Sequence, residues 1–270
     1  MKLILFSKSL KGMSIPEMGE TAARLGLDGL DLAVRAGYPV NPENVKSALP
    51  VAARELAERG LSIPLVTTEG KFTDPNAPDA EPTFAACGEI GCGLIKLGYW
   101  GYTFPGYWEQ VDGVRRDLEG FAKLGEKHGV KSMIHIHSGR RPAANCAMAM
   151  QLADGLDAKH IGIFADPGHM ALDGEDPVIG LDMVREYLAA VAVKDCRYAR
   201  EDKRWRVEWV PLGEGLVDWA LVAKTLVGIG FDGPISFHSE YDEPLDTILS
   251  WTKADITFLR SRFQAVGGSV

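Results

Sequence analysis

Eight times along this 270-residue chain a short apolar run gives way to an amphipathic stretch of about 10 to 20 residues, and that alternation leaves few folds open. The runs are Leu3–Ser7, Gly29–Ala33, Ser62–Thr67, Leu94–Gly98, Ser132–His137, Ile161–Asp166, Ala189–Lys194 and Pro234–Glu240. Helices are predicted near 14–25, 42–59, 79–90, 108–128, 143–155, 177–187, 216–229 and 244–262. Start signals support them: Ser14 with Pro16 and Glu17, Asn41 before Pro42, and Asp176 before Pro177. Arg59-Gly60 and Lys127-His128-Gly129 are matching stop signals, because glycine tolerates the left-handed residue that ends many helices. Eight consecutive βα units predict a single-domain α/β fold, the (β/α)8 TIM barrel, over residues 1–270. No Ser/Gly/Pro-rich tract divides the chain. The longest irregular stretches, 69–80 and 196–211, follow predicted strands and would therefore lie on the face where barrel loops select substrates.

Several function classes are disfavoured by charge and composition. A net charge of −8, with Arg140-Arg141 the longest basic run, disfavours nucleic acid or an anionic membrane as partner. No apolar run approaches the roughly 18 residues of a membrane span, and the opening Leu3–Phe6 run is too short for a secretion signal, so a cytoplasmic location is expected. Cys87, Cys92, Cys146 and Cys196 form no CxxC pair and read as reduced, buried thiols. Phosphate-cradling glycine motifs are absent, so no nucleotide cofactor is expected; Gly213-Glu-Gly215 reads as a turn.

The strand ends carry the chemistry. Ile161-Gly-Ile-Phe-Ala delivers Asp166, and then His169, into a Pro/Gly turn. Three other runs end similarly, at His135-Ile-His137-Ser-Gly139, at Ala192-Val-Lys194-Asp195 and at His238-Ser-Glu240. Four of the six histidines fall in these segments, whereas His128 and His160 read as helix-end and strand-start residues. Residues two apart in a strand share a face, so His135 with His137, Ala192 with Lys194, and His238 with Glu240 should converge with Asp166 at one barrel mouth. Imidazole and carboxylate are common divalent-metal ligands, which makes His135, Asp166 and His238 a candidate set for Zn, Mn or Mg. Lys194 offers a second source of positive charge for a substrate oxygen. Asp31 and Lys96 stand at the ends of strands two and four, where they could bind sugar hydroxyls. The aromatic run Trp100, Tyr102, Phe104, Tyr107 and Trp108 could pack on a sugar ring, with Trp205 and Trp209 closing over it.

Taken together these residues resemble the xylose isomerase-like TIM barrels, a group of sugar isomerases and epimerases, inosose dehydratases and endonuclease-IV-like enzymes. The likeness rests on Gly26-Leu-Asp28-Gly-Leu-Asp31-Leu, Asp166-x-x-His169, Val193-Lys194-Asp195, Pro211-Leu-Gly-Glu-Gly215-x-Val-Asp218-Trp and Phe231-Asp-Gly-Pro-Ile-Ser-Phe-His238-x-Glu240, in that order. It implies a divalent metal on a Glu, an Asp, a His and a Glu from strands five to eight. Asp166 matches. His135 stands at the first Glu position, Ala192 at the His position and His238 at the second Glu position, while His169 matches a nearby substrate- or metal-contacting His. The departure favours a softer ion over Mg²⁺, because one carboxylate replaces three negative charges.

The expected activity is isomerisation or epimerisation of a sugar, sugar acid or related keto-polyol by proton transfer next to a carbonyl. His135 and His238 would exchange protons, Lys194 and Glu240 would assist, and His137, His169, Asp31, Lys96 and Trp100 would contact substrate. A dehydratase of the inosose type is the alternative, since His-x-His-x-Gly at 135–139 resembles that branch. A non-catalytic sugar-binding barrel is the third reading. The partner is a small carbohydrate, and assembly into a homo-oligomer is compatible with the sequence.

Overall fold

A computed structural model describes residues 1–270. Eight parallel strands close in the order β1-β10-β7-β6-β5-β4-β3-β2: β1 (Leu3–Phe6), β2 (Gly29–Ala33), β3 (Ser62–Thr67), β4 (Leu94–Lys96), β5 (Lys131–His135), β6 (Ile161–Ala165), β7 (Leu188–Val193) and β10 (Ile235–Phe237). Each predicted strand exists, and most stop a residue or more short of the predicted end. The polar residues beyond them have left the ladder for the loops that form the mouth.

Nine helices surround the barrel: α1 (Ile15–Arg24), α2 (Val45–Ala57), α3 (Ala80–Glu89), α4 (Tyr107–His128), α5 (Cys146–Ala153), α6 (Pro167–Leu172), α7 (Pro177–Met183), α8 (Trp219–Gly228) and α9 (Leu245–Ala265). The Glu17 carboxylate accepts from both the Ser14 amide and hydroxyl at 2.7 Å, and the Asp176 carboxylate accepts from the Val178 and Ile179 amides. Gly60 and Gly129 take the left-handed conformation at the expected helix ends, with φ of 71° and 69°. Asn41 is different. Its side chain accepts from the Glu43 and Asn44 amides in a separate turn, and α2 starts three residues after Pro42.

Register divides the strand residues into two populations. Outward positions such as Ile163, Val191, Val193, Ile235 and Phe237 join a 57-residue core between sheet and helices. Inward positions form a much smaller cluster that includes Ile4, Leu65, Met133, Phe164, Ala190 and Ala192, so the barrel interior is apolar only below its mouth. One pleat step higher the inward residues become His135, Asp166, Lys194 and His238, all buried.

The stretch after β7, read from sequence as an irregular loop, is an antiparallel hairpin, β8 (Asp195–Glu201) and β9 (Arg204–Val210), turning on Asp202 and Lys203 at positive φ. Arg204–Val210 alternates polar and apolar residues, but both faces of the hairpin are largely exposed beyond its base, so no buried face marks it as a strand. At its base Asp195 is fully buried. Its carboxylate accepts from the amides of Cys196, Gly213, Gly215 and Val217 and from the Trp219 indole. A Cβ on Gly215 would lie 2.1 Å from Asp195 Oδ1, which is why this turn needs glycine. No helix is long and apolar enough to cross a membrane.

Candidate active site

Asp166 is the hub of the mouth. It caps α6, with Oδ1 accepting from the His169 amide at 3.1 Å, and this turns Oδ2 toward the barrel axis. Oδ2 lies 3.2 Å from His135 Nε2 and 3.3 Å from Lys194 Nζ. Burial would raise the Asp166 pKa, but the Lys194 ammonium above all, with the neighbouring imidazoles and the His169 amide, outweighs it and holds the carboxyl below its ordinary value. Lys194 shows the mirror image. Burial would favour the free amine, yet Asp166 and Glu240 keep it an ammonium with its pKa raised.

Glu240 completes the ion network, accepting from Lys194 at 3.0 Å and, through its other oxygen, from Lys8. Two carboxylates thus face two ammonium groups. Trp209, from the hairpin, places its ring centre 4.5 Å from Lys194 Nζ and 5.3 Å from the His169 ring.

The histidines differ in what they have free. His135 Nδ1 faces the Tyr99 hydroxyl at 2.8 Å and its Nε2 faces Asp166. A carboxylate accepts only, so Nε2 carries the proton and Nδ1 accepts from tyrosine. His137 donates from Nδ1 to its neighbour's carbonyl, Ser138, and stacks on His169 with ring centres 3.8 Å apart. His169 Nδ1 meets the Ser138 hydroxyl at 2.9 Å, leaving Nε2 without a hydrogen-bond partner. His238 Nε2 is also unpartnered, with Asp31 Oδ2 3.5 Å away, and its ring lies 5.6 Å from that of His135. Burial, followed by nearby positive charge, lowers the His135 pKa well below its usual value. Burial also takes His137 to about 4, so both rings are neutral near pH 7.

Other residues predicted for the site sort unevenly. Asp31 lies inside the barrel, but its carboxylate is committed to the Thr67 and Ser236 hydroxyls at 2.6 and 2.9 Å and is not free for a substrate hydroxyl. Lys96 is buried with no acceptor for its Nζ, which sits 3.4 Å from the centre of the Tyr99 ring. Burial, then the charge of Arg35, pushes its pKa well down. Trp100 faces away, donating to Asp117 on α4, and this takes it out of the expected sugar platform. Trp205 is 68% exposed and does not cover the mouth. Tyr99 is the residue that sequence reasoning missed. It points inward because its amide and that of Gly98 donate to the Gly70 and Phe72 carbonyls, contacts between two loops that no spacing rule reports.

His135 Nε2, an Asp166 oxygen and a His238 nitrogen lie within 4.8 Å of one another, a separation that could surround a metal ion. Their chemistry fits one poorly. His135 presents a proton to the centre, and Asp166 Oδ2 already serves both His135 and Lys194. Only the His238 nitrogen is uncommitted. A divalent ion would also add charge where carboxylates and ammonium groups already balance.

A closed eight-stranded barrel with a buried cluster of histidines, carboxylates and lysine at the C-terminal strand ends is the architecture of a TIM-barrel enzyme site. Within that class the family is specific: residues 20–262 match the xylose isomerase-like TIM barrel, and the chain belongs to that family. An inosose dehydratase of Lacticaseibacillus casei is 22% identical over 260 residues, covering 84% of this chain and 86% of that protein. Among solved structures, the D-psicose 3-epimerase of Clostridium cellulolyticum H10 superposes with a TM-score of 0.77 at 13% identity, covering 97% of this chain and 99% of the other. The 3-keto-D-glucoside 4-epimerase of E. coli gives 0.74 at 16% identity, covering 97% and 99%. A probable 3-DHS dehydratase of Bacillus anthracis gives 0.71 at 17% identity, covering 96% and 98%.

Proposed function

We propose that the chain is an enzyme that moves a proton on a carbon next to the carbonyl of a keto sugar, a sugar acid or a related keto-polyol, with isomerisation or epimerisation as the outcome. The observation that carries this reading is the buried His238 Nε2, which has no hydrogen-bond partner yet faces the His135–Asp166 pair across the mouth. A buried imidazole nitrogen that no donor occupies can take up a proton from a carbon held against it. His135, linked to the Tyr99 hydroxyl, is placed to return a proton through that relay. His137 and His169, stacked at the rim, are placed to contact substrate hydroxyls, and Lys96 offers an amine without an acceptor. The mouth is filled by its own side chains, with His135, Lys194 and His238 only 3–4% exposed, so substrate binding requires the loops carrying Tyr99 and Trp209 to part. The family resemblance and the sugar-epimerase names among the superposed structures support this reading. A dehydratase is the second reading, favoured by the names of the L. casei and B. anthracis proteins; it begins with the same proton removal and then expels water.

The test is solvent exchange. Keto sugars such as D-fructose, D-tagatose and inosose are incubated with the protein in D₂O and followed by NMR and mass spectrometry. Deuterium at a carbon beside the carbonyl with no loss of water indicates isomerisation or epimerisation, and loss of water indicates the dehydratase. His238→Ala should slow exchange by about 100-fold or more, the usual contribution of a positioned base. Wild-type exchange that survives both His135→Ala and His238→Ala would remove these residues from the mechanism.

A further inference from the structure

We infer that the Lys194 ammonium is the built-in cation of this mouth, paired with Asp166, the one carboxylate a divalent ion would need, so that the site works without a bound metal. Three observations meet here. Lys194 Nζ is 3.3 Å from Asp166 Oδ2, the carboxylate of the candidate metal set, and 3.0 Å from Glu240 Oε2. The side chain that would have to yield its lone pair, His135, instead turns an N–H toward the acceptor-only Asp166 carboxylate, while its Nδ1 takes the Tyr99 hydroxyl proton. Ala192, one pleat step below Lys194 on the same face, lies in the apolar layer and supplies no ligand.

Electrostatics makes the two cations exclusive. Asp166 and Lys194 are both buried, where like charges repel strongly, and the ammonium is tethered by its own chain and cannot leave. An ion entering the cluster would have to displace Lys194 from Asp166 and shift the His135 proton from Nε2 to Nδ1.

The inference rests on the proton-transfer reading only for what the cation does. As a base takes the proton beside the ketone, the electron pair of that C–H bond becomes a carbon–carbon double bond, the carbonyl π pair moves onto the oxygen, and an enediolate forms. Lys194 has three N–H groups and two carboxylate partners, so one remains to donate to that oxygen without giving up its proton. Returning a proton to the carbon restores the carbonyl, and nothing is oxidised or reduced.

The experiment counts metal in the full-length protein. Wild type, Lys194→Ala and the Lys194→Ala/Asp166→Asn double variant are incubated with Zn²⁺, Mn²⁺ or Co²⁺, gel-filtered and assayed by elemental analysis, with the visible Co²⁺ absorption as a second readout. Wild type should retain no stoichiometric ion, and its deuterium exchange should resist EDTA. Lys194→Ala, with the ammonium gone, should take up about one equivalent, lost again in the double variant. A stoichiometric ion in wild type that Asp166→Asn removes would overturn the inference. So would a folded Lys194→Ala that takes up none. Should that variant fail to fold, the wild-type count decides alone. Absence of deuterium exchange with every sugar would instead count against the proposed function, while the metal count still decides the cation.

Discussion

Replacing Asp195 tests how the mouth is held in shape. This carboxylate follows Lys194 directly and gathers five donors, of which the Cys196 and Val217 amides and the Trp219 indole belong to buried residues, while Gly213 is exposed enough to turn to water. Asp195→Ala strands three buried donors. At about 1–3 kcal/mol for each group left unsatisfied, partly relieved by relaxation, the loss should be about 3–6 kcal/mol, a large part of a typical domain's stability of roughly 5–15 kcal/mol. Asp195→Asn is milder. The amide can keep its oxygen on Cys196 and Val217 while its NH₂ faces Trp219, so one buried donor is lost and about 2 kcal/mol with it. Urea unfolding followed by far-UV circular dichroism measures both, and a double-mutant cycle with Trp219→Phe should show coupling of about 1 kcal/mol or more. An Asp195→Ala protein within about 1 kcal/mol of wild type would refute the argument that these donors have no other partner.

Other perturbations follow from the same geometry. Burial pushes the Asp255 carboxyl up to about 6, against the pull of the Tyr241 hydroxyl and the Leu212 amide. The folded state therefore binds this proton more tightly, and the stability it lends is full below the ordinary carboxylate range and lost as pH rises through about 6. Asp255→Asn should remove up to about 3 kcal/mol of that decline between pH 4 and 7, measured as the difference between unfolding free energies at the two pH values; an unchanged slope would count against it. Gly29→Ala should destabilise by several kcal/mol, on the order of a severe core clash, because its Cβ would sit 2.0 Å from the Ser62 carbonyl oxygen of the neighbouring strand; a melting temperature equal to wild type would contradict this. Trp209→Ala should raise the KM for a keto sugar by about threefold to tenfold with little change in melting temperature, since the ring covers Lys194 and His169 and is not core; unchanged KM would place it outside the binding surface.

How much of this was legible beforehand depended on the range of the signal. The barrel was legible because its code is local and repeated: apolar runs of strand length, helix caps such as Ser14 and Asp176, and left-handed glycines at 60 and 129 each act within a few residues. The convergence of His135, Asp166, Lys194 and His238 was legible for the same reason, because a two-residue pleat and the rule that barrel strands end at one mouth place them together. The state of each group was not. Whether His135 presents a proton or a lone pair is decided by Asp166, 31 residues away, and whether Asp31 is free for substrate is decided by Ser236, 205 residues away. Trp100 and Tyr99 are adjacent, yet one turns to α4 and the other into the mouth, a choice made by hydrogen bonds between two loops.

The sequence by itself therefore determined the chain path, the barrel and the list of groups at its mouth. Only the tertiary structure decided that an ammonium sits on the only carboxylate in the candidate metal set, because tautomer, charge and ligand capacity depend on distances of about 3 Å that no spacing along the chain encodes.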